Sequence, residues 1–159
     1  MGIFTLRFVT VDAFREEVVN YLVKMTERYT QYTIVVESKN NAKKPEGWDF
    51  EYYPHYVPEG YVIENISQLK YRANISYSNS QNLTYKVQIY DAVYGNFRRN
   101  DSENAQYKSV EINGMQGELY LKDSHNTVVF ANEKYVFCVT GDLSQDELIL
   151  VARSIKDEE

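Results

Sequence analysis

A chain of 159 residues is about one domain, long enough to bury ~68–70% of the surface its unfolded form exposes. With 17 basic against 23 acidic residues the net charge is −6, which argues against nucleic acid or an anionic membrane surface as the main partner. The single cysteine excludes an internal disulfide, and 15 Tyr with 7 Phe point to much half-buried sheet.

The opening "MGIFTLRFVTV" is apolar but is followed by no small-residue cleavage site, and Leu6 stands where a myristoylation signal wants Ser or Thr. No apolar run approaches the ~20 residues that span a bilayer. Either the chain is a cytosolic protein, or Met1 opens a piece of something longer. A helix is predicted over 11–29, where Val11, Phe14, Val18, Tyr21, Leu22 and Met25 recur at three- and four-residue steps.

From 32 to 140 a period of two takes over. Tyr32, Ile34 and Val36 share one face of a first strand, and weaker strands are expected at Tyr61–Ile66 and Ala73–Tyr77. In "LTYKVQIY" Leu83, Tyr85, Val87 and Ile89 face inward. Asn113–Gly114 is the favoured two-residue hairpin turn, setting Ile112 opposite Met115 and Glu111 opposite Gln116. "TVVFA" and "YVFCVT" read as a further hairpin. A closing helix is predicted over 144–156. Ser144 and Glu147 form a capping box, Leu143 and Leu148 a hydrophobic staple, and Asp146 and Glu147 suit the dipole of the first turn. These acids mark a helix start rather than a catalytic loop. The pattern defines an α+β fold: one domain, 1–159, with an antiparallel, meandering, curved sheet and an N-terminal and a C-terminal helix packed on one face.

No catalytic residue, metal site or cofactor is expected. Cys138 alternates with Phe137 and Val139 as a small core residue, and no local signature pairs it with His55 or His125. The densest aromatic stretch is "GWDFEYYPHYVPEGY", 47–61. Pro54 and Pro58 force an extended path, Pro58-Glu59-Gly60 makes a turn, and the aromatic rings seal a sheet edge. The alternative is a contact surface built by Trp48, Tyr52, Tyr53, His55, Tyr56 and Tyr61, since rigid aromatics with polar tips bind at low entropy cost.

The motifs "YVPEGY" at Tyr56–Tyr61, "DSE" at Asp101–Glu103, "VEING" at Val110–Gly114 and "GDLSQDELILVARSI" at Gly141–Ile155 together resemble a bacterial domain family of unknown function. That family forms the C-terminal, extracytoplasmic part of membrane-anchored proteins, some of them anti-sigma-factor-like. One departure is Phe130, where the family usually shows Trp. The resemblance implies a non-enzymatic sensory or interaction domain outside the cell membrane, with a protein or envelope component as partner and a tether missing from this chain. It supplies no catalytic residue. The competing expectation is a carrier of a small apolar ligand, or an enzyme-like pocket, between the sheet and the first helix, lined by Phe14, Val18, Tyr85, Val87 and Phe137.

Overall fold

The computed structural model describes residues 42–97, 105–123 and 125–157. The helix predicted over 11–29 and the strand at Tyr32–Val36 lie outside these residues. Among the described residues nine strands and one helix follow in chain order: β1 (Tyr52–Pro54), β2 (Val62–Leu69), β3 (Arg72–Ser78), β4 (Thr84–Asp91), β5 (Gln106–Ile112), β6 (Met115–Lys122), β7 (His125–Ala131), β8 (Tyr135–Gly141), α1 (Gln145–Ser154) and β9 (Ile155–Asp157).

Seven of the strands form one antiparallel sheet in the order β2-β3-β4-β8-β7-β6-β5. This corrects the single meander expected from the sequence. There are two meanders, β2 to β4 and β5 to β8, and they meet where β4 pairs with β8, from Tyr85 opposite Gly141 to Asp91 opposite Tyr135. Local turn chemistry specifies each meander, but only tertiary packing specifies the seam between them.

Residues directly opposite on neighbouring strands share a face. One face is therefore apolar across the sheet: Ile75 and Tyr77 on β3, Tyr85, Val87 and Ile89 on β4, Phe137 and Val139 on β8, Val128 and Phe130 on β7, and Leu119 on β6. Helix α1 lies on it with Leu148, Ile149, Val151 and Ala152 buried. A smaller cluster of Phe97, Tyr120, Val129, Val136 and Cys138 occupies the opposite face.

The start of α1 follows its sequence signature. The Ser144 hydroxyl accepts from the Glu147 N–H at 3.2 Å, and Leu143 and Leu148 are both buried. Its end does not. The expected helix to 156 stops at Ser154, and Ile155–Asp157 become β9, pairing antiparallel with β1 in a separate two-stranded sheet. The amide of Asn113 donates to the Arg153 carbonyl at 3.0 Å, so the β5–β6 turn clamps the end of the helix. Asn113 and Gly114 both take positive φ, +51° and +79°, as the hairpin requires.

Gly141 is tied to the seam. Its φ is +148°, and a Cβ there would lie 2.5 Å from the Cα of Tyr85 and 2.6 Å from its Cβ. Gly141→Ala is expected to unfold the protein or lower its stability by about 3 kcal/mol or more, because backbone rather than a flexible side chain blocks the space. Ser144→Ala removes only the cap and is expected to lose about 1 kcal/mol. Urea denaturation of the two variants beside the parent checks the ordering.

Candidate functional site

The segment 48–61 runs beside α1 and partly into the core. The Trp48 indole N–H donates to the Tyr52 carbonyl at 2.8 Å, and its ring is only 3% exposed. Tyr53 is 5% exposed and stacks on His55 at 4.2 Å. His55 is fixed by its own N–H, which donates to the Ser154 carbonyl at 3.0 Å. The Tyr52 ring meets Phe137 and Tyr135 edge-on at 5.2 and 5.4 Å. Tyr61 meets Tyr85 edge-on at 5.0 Å after the turn in which its N–H donates to the Pro58 carbonyl. Tyr56 is half-buried against the core.

The six residues expected to form a contact surface therefore divide. Trp48 and Tyr53 are core residues and cannot present their rings to a partner in this state. Tyr52, His55, Tyr56 and Tyr61 keep partial exposure. Burial pushes the Tyr56 and Tyr61 hydroxyls above the usual phenol range, with the Glu147 carboxylate as the second cause for each. These phenols stay neutral, as hydrogen-bond donors, throughout the physiological range.

The carrier pocket was expected against the first helix, which lies outside the described residues. Of its expected lining, Tyr85, Val87 and Phe137 are fully buried in the cluster beneath α1, and Phe14 and Val18 lie outside the described residues. Cys138 is likewise buried, among Val129, Val136 and Tyr120. Burial holds its thiol up at about 12. A thiol that stays protonated is a poor nucleophile. Among the described residues no three His, Cys, Asp or Glu side chains gather as a metal set, and no helix is long and apolar enough to cross a membrane.

An unforeseen feature is a cleft of about 590 Å3 at one corner of the sheet. Asp49, Phe50 and Glu51 form one wall, Gln68, Leu69 and Lys70 at the end of β2 form another, and Lys134 with Tyr135 closes it. Gln68 fastens the first two walls together. Its side chain accepts from the Asp49 N–H at 2.6 Å and donates to the Gly47 carbonyl at 2.7 Å. Phe50 packs on Tyr135 at 6.2 Å and on Trp48 at 5.7 Å, so the apolar side of the cleft is anchored to the core. Lys134 reaches Glu51 at 2.6 Å, and this hydrogen bond is the main reason its ammonium titrates above the usual lysine range. The sequence marked Phe50 as part of an aromatic run, but nothing local links it to positions 68–70 or 134–135. Only the fold brings them together.

The fold and this corner define a class: a mostly antiparallel sheet with one described helix and a small cleft of mixed polarity at its margin. The chain belongs to the family described as "Domain of unknown function (DUF4367)", whose model matches residues 51–155. No curated protein matches the chain. Among the solved structures that match is MucB in complex with MucA(peri), at 11% identity and a TM-score of 0.42. That match covers 70% of this chain and 38% of the other, so the chain spans less than two fifths of the solved one.

Two outcomes follow from the burial. Tyr53→Ala is expected to lower stability by roughly 3 kcal/mol, and Lys134→Ala to leave it nearly unchanged, both read from urea midpoints. The second concerns pH. Cys138, Tyr77 and Tyr85 all have acid groups raised by burial, so above the unfolded thiol value near 9.0 the unfolded state releases a proton that the folded state keeps. Stability should thus be level below about pH 8 and fall by about 1.4 kcal/mol per pH unit once the thiol alone titrates, more steeply past pH 10 as the phenols join. Denaturation series from pH 7 to 11 read this directly.

Proposed function

We propose that this chain is a non-catalytic domain that binds a peptide or protein partner, and that the cleft beside the aromatic segment is the contact site. The observation that carries the reading is the cleft's composition. Phe50, Leu69 and Tyr135 offer apolar surface, and Asp49, Glu51, Lys70 and Lys134 ring it with both signs of charge. Apolar ground with a charged rim is how specific contact sites are built. Leu69 is 56% exposed, so the apolar part of the cleft is open to a partner's side chain. Of the aromatic segment, Tyr52 adjoins the cleft through its edge-on contact with Tyr135, whereas Tyr61 lies on Tyr85 at the other end of the β4–β8 ladder.

The resemblance stated from the sequence motifs supplies the setting. In it the domain stands on the outer face of a cell membrane, tethered by a part of the parent protein beyond this chain. The partner is then an envelope component or another protein met there.

A photo-crosslinking amino acid placed at Leu69 in the host cell tests the site, with Leu83, an exposed leucine outside the cleft, as control. A discrete adduct at position 69 that Phe50→Ala weakens by about tenfold is the expected result. Equal labelling at 69 and 83, or none at either, would refute the reading. Fractionating the same cells tests the setting: a larger product in the membrane fraction, cut by added protease, is expected, and a protected soluble one counts against it.

A further inference from the structure

Among the described residues, the strand that leads into the cleft has no pairing partner on its outer side. β2 ends the order of the seven-stranded sheet, so among the described residues it pairs only with β3. Every second residue of such an edge turns its N–H and C=O outward, unpaired. Sheet edges are usually short, charged or covered. This one is eight residues long and carries exposed Val62 at 65%, Ile63 at 44% and Leu69 at 56%.

We propose that the partner of the cleft binds as an extended peptide strand added to β2, with one apolar side chain seated in the cleft. This rests on the reading of the cleft as a contact site and names the chemistry of what enters it. Only an extended backbone presents donors and acceptors at the spacing of the free edge, which is how strand addition gains affinity. The guest runs antiparallel, as every ladder of this sheet does, because antiparallel pairing is the more stable per residue. Its N-terminal part then lies at Leu69 and Lys70, where β2 and the cleft share residues.

The register sets its side chains. On the face covered by the helix, Ile63 stands opposite Tyr77 and Ile66 opposite Ile75, so apolar guest residues there extend the core by one strand. On the other face, Val62 and Leu69 offer apolar contact at the two ends, with Asn65 and Ser67 between them. Glu64, exposed at the bulge between the Ile63 and Asn65 pairs, favours Lys or Arg in the middle of the guest. The guest is thus an extended segment of about eight residues, apolar at alternate positions, with a central basic residue.

The test selects binders from a random linear peptide library displayed against the immobilised full chain. The best binder is then remade with N-methyl groups on alternate backbone amides, which leaves its side chains unchanged. Expected are enriched sequences with alternating apolar residues, a loss of about tenfold or more in affinity on N-methylation in one of the two phases, and slower hydrogen exchange at alternate β2 amides when the peptide is bound. Peptides that bind equally well in both methylated forms, leaving β2 amides unprotected, overturn strand addition while the cleft remains a contact site. Enrichment of no linear peptide overturns it too, and leaves a folded partner for the cleft. Protection of β2 in the free protein together with a doubled mass in sedimentation overturns it in favour of a second copy of this chain.

Discussion

The β4–β8 ladder is the constraint on which the rest of the structure depends. It joins segments some fifty residues apart, Tyr85–Asp91 and Tyr135–Gly141, and without it the two meanders share no backbone pairing among the described strands. Each meander alone has a free edge at that seam and an incompletely covered face. The seam is also where the largest interior side chains meet. Val87 lies opposite Val139 and Ile89 opposite Phe137, and Phe137 stacks on Phe130 at 5.0 Å. Closing so long a loop costs entropy before any contact rewards it, so folding should wait on this ladder more than on either hairpin.

Helix and seam are built as one unit. β8 ends at Gly141, where the backbone passes too close to Tyr85 for a side chain. Directly afterwards Asp142 accepts from the Thr84 N–H through its carboxylate at 3.0 Å and donates its own N–H to the Thr84 carbonyl at 2.8 Å. Leu143 follows, its carbonyl held by the buried Asn126 amide at 2.8 Å, and Ser144 caps α1. Four consecutive residues thus carry the chain from the central strand to a helix lying back across it. The far end is fixed by Asn113 and by the β1–β9 pairing, so α1 is held at both termini by parts of the chain remote in sequence.

Legibility followed range. Signals confined to a few residues were readable: the Asn113–Gly114 turn with Ile112 opposite Met115, the Ser144–Glu147 cap, the Pro58–Tyr61 turn and the inward Tyr85, Val87 and Ile89 of β4, although Leu83, expected to face inward with them, precedes the strand and is exposed. The order of the strands was not, because nothing in "LTYKVQIY" says whether its second neighbour is the next strand or the last. The end of α1 was misread for a related reason. The sequence past Ser154 contains no Gly or Pro stop, and the helical pattern runs on through Ile155 and Lys156. It is β1, a hundred residues earlier, that draws Ile155–Asp157 out of the helix by offering a ladder. Trp48 and Tyr53 were read either as sealing a sheet edge or as part of a contact surface, since rigid aromatics with polar tips suit both, and nothing local says which rings turn inward. Leu69 was passed over, and Phe50 was seen only as part of an aromatic run, because only the fold brings the end of β2 and the 49–51 segment to one cleft.

The exposed β2 edge and the solubility expected of a chain with net charge −6 are compatible for a structural reason. The extra residue in β2, Glu64, shifts its register against β3 and twists the strand locally. A rigid, regular edge from another molecule would meet this irregularity along its whole length, and would also bring a carboxylate near its own acidic residues. That discourages indefinite stacking of identical sheets, the usual hazard of an open strand. A flexible peptide can bend around one bulge at little cost and pair on both sides of it. Lys70 and Lys134 then bound the edge at the cleft end, with Glu51 holding Lys134 in place. The same few residues that make the edge a poor template for aggregation leave it accessible to a short guest strand.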